Sequence, residues 1–216
     1  MNTVWTRFWM RFAGPSRGGR CATWLATWFA PPFRWRRRLA RMNPRGYVSP
    51  SACVTDRETA LGMNVFIGDR VFIMRNRDGG SIRIGDRVEL YADIVVETGA
   101  GGRVTIGNDT HIQPRCTLSA YVGMLHIGDG VEIAPNCSFY PYNHGTAPDR
   151  PIREQPLTSK GDLVVGNGAW IGAGAILLDG ARVGEGSVIG AGSVVTRPIP
   201  DNAVAWGAPA RVRHMR

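Results

Sequence analysis

From residue 61 onward, an apolar side chain recurs every six residues. Leu61, Ile67 and Ile73 are followed by Ile84, Leu90 and Val96, and then by Ile106, Ile112 and Leu118. Ile127, Ile133 and Phe139 come next, then Val165, Ile171 and Leu177, and finally Val183, Ile189 and Val195. All eighteen positions are apolar. An amphipathic helix repeats every 3.6 residues and a half-buried strand every 2, so neither produces a period of six. A fixed repeat of this kind is a unit that buries its apolar face by stacking on copies of itself. Three short strands per triplet make a triangular coil, and stacked coils pair backbone to backbone at roughly 4.8 Å. The expected fold is an all-β parallel β-helix of about six coils, roughly 29 Å long.

Glycine often follows a rung directly, as at Gly68, Gly85, Gly107, Gly128 and Gly166, and again after Ile171, Val183 and Ile189. Its conformational freedom suits a corner just after a buried side chain. Between triplets the step is 11, 10, 9, 26 and 6, so every insertion falls at one corner of the triangle. Loops collected on one face of a repeat often mark the binding face. The longest insertion, residues 140–162, carries mixed charges, several prolines and His144 at its base.

The charge is uneven. Net charge is +9, yet residues 1–45 hold ten arginines and no acidic residue, leaving 16 basic against 17 acidic residues in the remainder. The whole chain therefore does not read as a nucleic-acid binder. We divide it into an Arg/Trp-rich helical segment, 1–45, and a β-helix domain, 46–213. The four cysteines, Cys21, Cys53, Cys116 and Cys137, show no metal-binding spacing. They read as reduced thiols of a cytoplasmic protein, most of them buried. No apolar run reaches membrane-spanning length, and no signal peptide with a clean cleavage site is evident.

Three motifs, "IAPNCSFYPYNHG" (133–145), the loop that follows, and "GNGAWIGAGAILLDGARVGEGSVIGAGSVVTRPIPDNAVAWGAPARV" (166–212), make residues 61–213 resemble the hexapeptide-repeat acyltransferases. That family folds as a left-handed β-helix and acylates sugars and antibiotics. The resemblance implies a homotrimer that binds acetyl-CoA in a groove between subunits, and it implies the left hand of the coil. It makes His144 the general base, which takes the acceptor's proton as the hydroxyl attacks the thioester in a ternary complex. Imidazole suits that role because its ordinary pKa lies near neutrality. On the donor side it implies Trp170 near the pantetheine arm, Ala173 and Ala191 through backbone groups, and Thr196, Arg197 and Arg211 near the nucleotide end. Arginines suit phosphates through forked hydrogen bonds. No metal is expected.

The acceptor side is less determined. Where sugar acetyltransferases carry an asparagine one coil below the histidine, the shared motif reaches Pro114, with Gln113 beside it. Gln113, Tyr142, Asn143 and Arg153 are the acceptor-site candidates, with Tyr140 and Arg150 as further lining of a carbohydrate pocket. Cys137 reads as core, and no Gly-x-Ser-x-Gly elbow supplies a covalent nucleophile. His111 and His126, each just before a rung, read as polar positions on a coil face.

Residues 1–45 contain five of the seven tryptophans. Trp5, Phe8, Trp9 and Phe12 repeat at helical spacing, with Arg7 and Arg11 beside them. A second helix is expected around Trp24, Leu25, Trp28 and Phe29, ending at Pro31–Pro32. Two readings stay open: docking on the inner face of an anionic membrane, or packing that caps the β-helix or meets other subunits. The leading reading is an O-acetyltransferase acting on a sugar hydroxyl in surface or exopolysaccharide synthesis. Its rivals are a zinc-dependent hydratase like the γ-type carbonic anhydrases, for which the spacings of His111, His126 and His144 lack the required pair, and a non-catalytic trimeric scaffold.

Overall fold

A computed structural model describes residues 3–29, 36–55 and 59–216. Three parallel sheets of nine, seven and six strands form the walls of a prism. Strands of the first wall run from Tyr47–Val48 through Phe66–Ile67, Glu89–Leu90, His111–Ile112, Glu132–Ile133, Trp170–Ile171 and Val188–Ile189 to Ala203–Gly207. Ala210–Met215 then folds back antiparallel on the last of these. The arrangement is consistent with a left-handed β-helix.

Stacking register matches the six-residue ladder. Ile112 lies between Leu90 and Ile133, and Phe139 between Leu118 and Leu177. Rung side chains from Ile67 to Val195 fill one continuous core, nearly all fully buried. The ladder begins one turn earlier than the sequence pattern suggests, because Val48 and Val54 precede Leu61 and pair with Ile67 and Ile73. About seven turns result instead of six. The first turn supplies only two rungs, Val48 and Val54, instead of a full triplet. Cys116 and Cys137 are core residues, but Cys53 is half-buried and Cys21 exposed; all four are free thiols. The Cys116 thiol, which hydrogen-bonds to Cys137 and is buried, is pushed up from its ordinary pKa.

The glycines that follow third-wall rungs serve a different purpose from the one expected. Gly85 and Gly166 do not have positive φ. Instead, a Cβ on Gly85 would sit 2.7 Å from Asn108 Oδ1, and one on Gly166 2.6 Å from the Glu185 amide nitrogen. The next coil passes so close that only a hydrogen fits. That corner is stitched by a column of side chains: Asn108 Oδ1 accepts from the Asp86 N–H at 2.8 Å, Asp129 Oδ1 from Asn108 N–H at 2.6 Å, and Asn167 Oδ1 from Asp129 N–H at 2.9 Å. All insertions leave the opposite corner, between second and third walls.

Among the described residues three short helices precede the prism: α1 (Thr3–Met10), α2 (Arg17–Thr27) and α3 (Arg36–Ala40). Ser16 caps α2 by accepting from the Gly19 N–H. The second helix thus begins before the expected aromatic cluster and ends at Thr27, and Pro31–Pro32 lies outside the described residues. Met10, Ala13, Ala26, Leu39 and Ala40 close over Tyr47 and Phe66 on the outer side of the first wall. Arg20 donates to the Ala52 carbonyl at 2.7 Å, and Arg36 pairs with Asp69 at 3.1 Å. Among the described residues no helix is long and apolar enough to cross a membrane.

Candidate active site

The 140–162 insertion is a small structured unit. Asn143–His144 pairs antiparallel with Leu157–Thr158, and a short 3-10 turn, Ile152–Glu154, lies between them. Gln155 is buried and staples the loop internally, donating to the Ala147 and Arg150 carbonyls and accepting from the Ala147 N–H. Two further ties hold the base of the loop to the prism. Asp179, itself buried, accepts from Asn143 Nδ2 at 3.1 Å and from the Lys160 N–H at 2.7 Å. On the other flank, Tyr142 Oη meets Ser119 Oγ at 3.1 Å, and Ser119 donates to Glu97 Oε1 at 2.7 Å. Burial raises the Tyr142 pKa, so its hydroxyl stays protonated and bonded.

Side chains of an extended strand alternate between its two faces. Asn143 turns to Asp179, so His144, the next residue of the strand, points to the opposite face. The His144 ring is exposed and makes no hydrogen bond to the described residues. Tyr142 packs edge-on against Tyr140 with centroids 6.1 Å apart and tilts against Tyr121 at 5.9 Å. Tyr121 is held in turn by Asn76 Nδ2, which donates to its hydroxyl at 2.8 Å. An unencumbered imidazole on a twice-anchored strand, beside a wall of tyrosines, is a geometry that can accept a proton from a polyhydroxylated molecule.

Not every acceptor candidate gathers there. Arg150 and Arg153 sit at the outer end of the loop, beside Asp149 and Glu154, with the Arg153 side chain 87% exposed. Gln113 follows a first-wall strand, at the corner between first and second walls, whereas the loop leaves the corner between second and third. Asn143 spends its amide on Asp179. Glu97, Ser119, Asp179 and Gln155 went unrecognised in the sequence. Glu97 and Ser119 each directly follow a second-wall rung and lie in register, and that shared column was the available signal.

The donor candidates divide similarly. Trp170 projects from the first wall, 53% exposed. Ala173 and Ala191 lie at the first–second corner in successive coils, where the Ala173 carbonyl accepts from the Gly192 N–H. Ala173 and Ala191 are small, exposed residues at this corner, and Trp206 is exposed on the same wall as Trp170. Thr196 and Arg197, both exposed, follow the second-wall rung Val195, on the loop side. Arg211 is exposed on the final hairpin opposite Trp206. In one chain, His144 and the Trp170–Ala191 strip therefore occupy different corners.

The remaining histidines are placed apart. His111 Nδ1 lies 2.8 Å from Glu132 on the first wall, and His126 Nδ1 bonds Thr105 Oγ1 at 2.7 Å on the third. Among the described residues no three metal-ligating side chains converge to hold an ion.

Asp179 should carry much of the loop's order. Replacing it by Ala removes its bonds to the Lys160 N–H and the Asn143 amide, each a net contribution of about 0.5–1.5 kcal/mol. We expect tryptic cleavage at Arg153 and Lys160 to accelerate at least about tenfold while the prism stays resistant. Unchanged cleavage rates would show that the loop is held by something else.

Residues 162–197 match the bacterial transferase hexapeptide (six repeats) family. The chain is 44% identical to nodulation protein L of Rhizobium meliloti (strain 1021) over 114 residues, covering 52% of this chain and 60% of that protein. It is 39% identical over 89 residues to galactoside O-acetyltransferase of Lactococcus lactis subsp. lactis (strain IL1403), covering 41% and 42%. The match thus spans roughly half the length of these curated relatives. In fold, it is similar to a point mutant of AntD, an N-acyltransferase from Bacillus cereus, in complex with dTDP and Coenzyme A. The TM-score is 0.56 at 24% identity, covering 70% of this chain and 83% of that one.

Proposed function

We propose that this chain, which carries the hexapeptide repeat of bacterial transferases, is a CoA-dependent O-acyltransferase that moves an acetyl group from acetyl-CoA to a sugar hydroxyl. The observation that carries the reading is His144: an exposed imidazole that bonds none of the described residues, on a strand fixed by Asp179 and by the Tyr142–Ser119–Glu97 relay. The galactoside O-acetyltransferase likeness favours an oxygen acceptor on a carbohydrate. In this mechanism His144 accepts the hydroxyl proton as the oxygen attacks the thioester carbonyl. The C–S bond breaks as the new C–O bond forms, and CoA leaves with its sulfur. The Trp170–Ala173–Ala191 strip positions the donor, and Thr196, Arg197 and Arg211 attend its charged end. Much of the acceleration comes from holding two substrates together.

The separation of His144 from the donor strip within one chain favours a homotrimer whose sites lie between neighbours. One chain then supplies His144 and its tyrosines, and the next supplies Trp170 and Ala191. A polysaccharide precursor carried on a lipid is a fitting acceptor, which places the enzyme at the membrane's inner face. Mixing variants tests the shared site. His144→Ala and Ala191→Trp proteins, each strongly impaired alone, should regain activity when co-expressed, because some interfaces combine two intact halves. No recovery in verified mixed oligomers would put the whole site in one chain.

Tyr142→Phe probes the relay. We expect kcat to fall by roughly tenfold with KM for acetyl-CoA unchanged, since one bond that orients the His144 strand is lost while the donor strip is untouched. A rise in donor KM alone would contradict this role.

A further inference from the structure

The three helices at the front do two jobs on two faces. Their inward face is made of small or slender residues: Thr6, Met10, Ala13, Gly19, Ala22, Thr23 and Ala26 are buried. The approach is close: a Cβ on Gly19 would come within 2.7 Å of the Gly14 nitrogen. Thr6 donates to the Ala26 carbonyl at 3.1 Å, and Trp5 Nε1 to the Leu25 carbonyl at 2.7 Å, so α1 and α2 form one unit. Trp9 packs half-buried against the inner cluster, and the other large aromatics are on the outside. Phe8 is 49% exposed, Trp28 57% and Phe29 71%, with Val4, Trp5, Phe12 and Trp24 also exposed. They cluster among themselves: Phe8 with Phe12 at 5.6 Å, and Trp24 with Trp28 at 4.3 Å.

This is the reverse of a helix pair built only to cap a core, which would turn its largest apolar groups inward. An exposed apolar crest of this size marks an interaction surface. Its flanks say what kind. Arg7, Arg11 and Arg17 are exposed beside it, and no acidic residue occurs among residues 1–45. A second copy seated on the crest would bring the same arginines face to face. An anionic bilayer supplies the opposite charge, and indole rings favour the boundary between headgroups and acyl chains.

We propose that the outer face of α1 and α2, with Trp24, Trp28, Phe8 and Phe12 as its apolar wedge and Arg7 and Arg11 as its charged rim, docks on an anionic membrane surface. This deepens the placement of the enzyme at a membrane and rests on that placement, not on the transfer chemistry. In this proposal the inner face packs over Tyr47 and Phe66 of the first wall while the outer face meets lipid.

Vesicle flotation of the full chain tests it. With phosphatidylglycerol vesicles at low salt the protein should float, and with pure phosphatidylcholine far less. Phe8→Ser/Trp24→Ser/Trp28→Ser should weaken binding at least about tenfold. Arg7→Gln/Arg11→Gln should weaken it by about fivefold per arginine, an effect that salt erases. All three aromatics and both arginines are exposed, so unchanged Tm and circular dichroism should accompany both variants. Equal binding by the triple variant, or equal flotation on both lipids, would overturn the proposal. So would an absence of vesicle binding combined with a smaller particle for the triple variant in light scattering, which would assign the crest to a second copy. Flotation is read without activity, so this proposal and the transferase reading fail separately.

Discussion

His144→Ala should lower kcat for acetyl transfer by about 10²–10⁴-fold, the usual contribution of a positioned general base. The fold should not change, because the ring is exposed and bonds none of the described residues. Donor KM should move little, since Trp170, Ala173 and Ala191 lie at another corner of the prism. Some activity should remain, because two substrates held side by side react faster than in solution even without the base. Steady-state kinetics, with circular dichroism and a melting curve as controls, read all of this. A loss below about tenfold with an intact fold would remove His144 from the chemistry.

The second large effect concerns stability. Phe139 is among the largest fully buried side chains and is the last rung before the loop leaves. Its strand pairs with Leu118 below and Leu177 above. Phe139→Ala should cost about 3–5 kcal/mol, from lost transfer energy and from a cavity that neighbouring coils cannot close. Strands hydrogen-bonded on both sides have little freedom to collapse inward, which argues for the upper part of that range. Urea unfolding should show a lower midpoint with an unchanged slope. Because Tyr140 and Tyr142 continue from this strand, the loop should also become more protease-sensitive. A loss under about 1 kcal/mol would contradict a close-packed interior at this coil.

What could be read from the sequence, and what could not, follows from the range of the interactions. The coil ladder was legible because each rung is decided locally: one inward side chain every six residues, from Leu61 to Val195. The first turn went unread because it holds two rungs, Val48 and Val54, and not a full triplet. The corner glycines were visible, but not their reason, since the Gly166–Glu185 approach depends on how tightly the next coil passes. His144 stood out through the motif around it. Its supports did not, because Tyr142, Ser119 and Glu97 are 23 and 22 residues apart in successive steps and meet only through register. Asn143 looked like a ligand contact and is a tie to Asp179. The front helices were recognisable as amphipathic, but periodicity marks an apolar face without saying which way it turns. Only packing against Tyr47 and Phe66 shows that the small residues went in and that Trp5, Trp24 and Trp28 went out.

The central claim is acetyl transfer to a sugar hydroxyl, and product mass tests it most directly. The purified chain would be incubated with acetyl-CoA and a panel of mono- and oligosaccharides, with His144→Ala in parallel. The account predicts an acceptor heavier by one acetyl group, labile to mild base as an ester is, with free CoA released in equal amount and almost none formed by the variant. Product that resists mild base would indicate an amide and a nitrogen acceptor. CoA release with no acceptor mass change, or equal product from His144→Ala, would contradict the account.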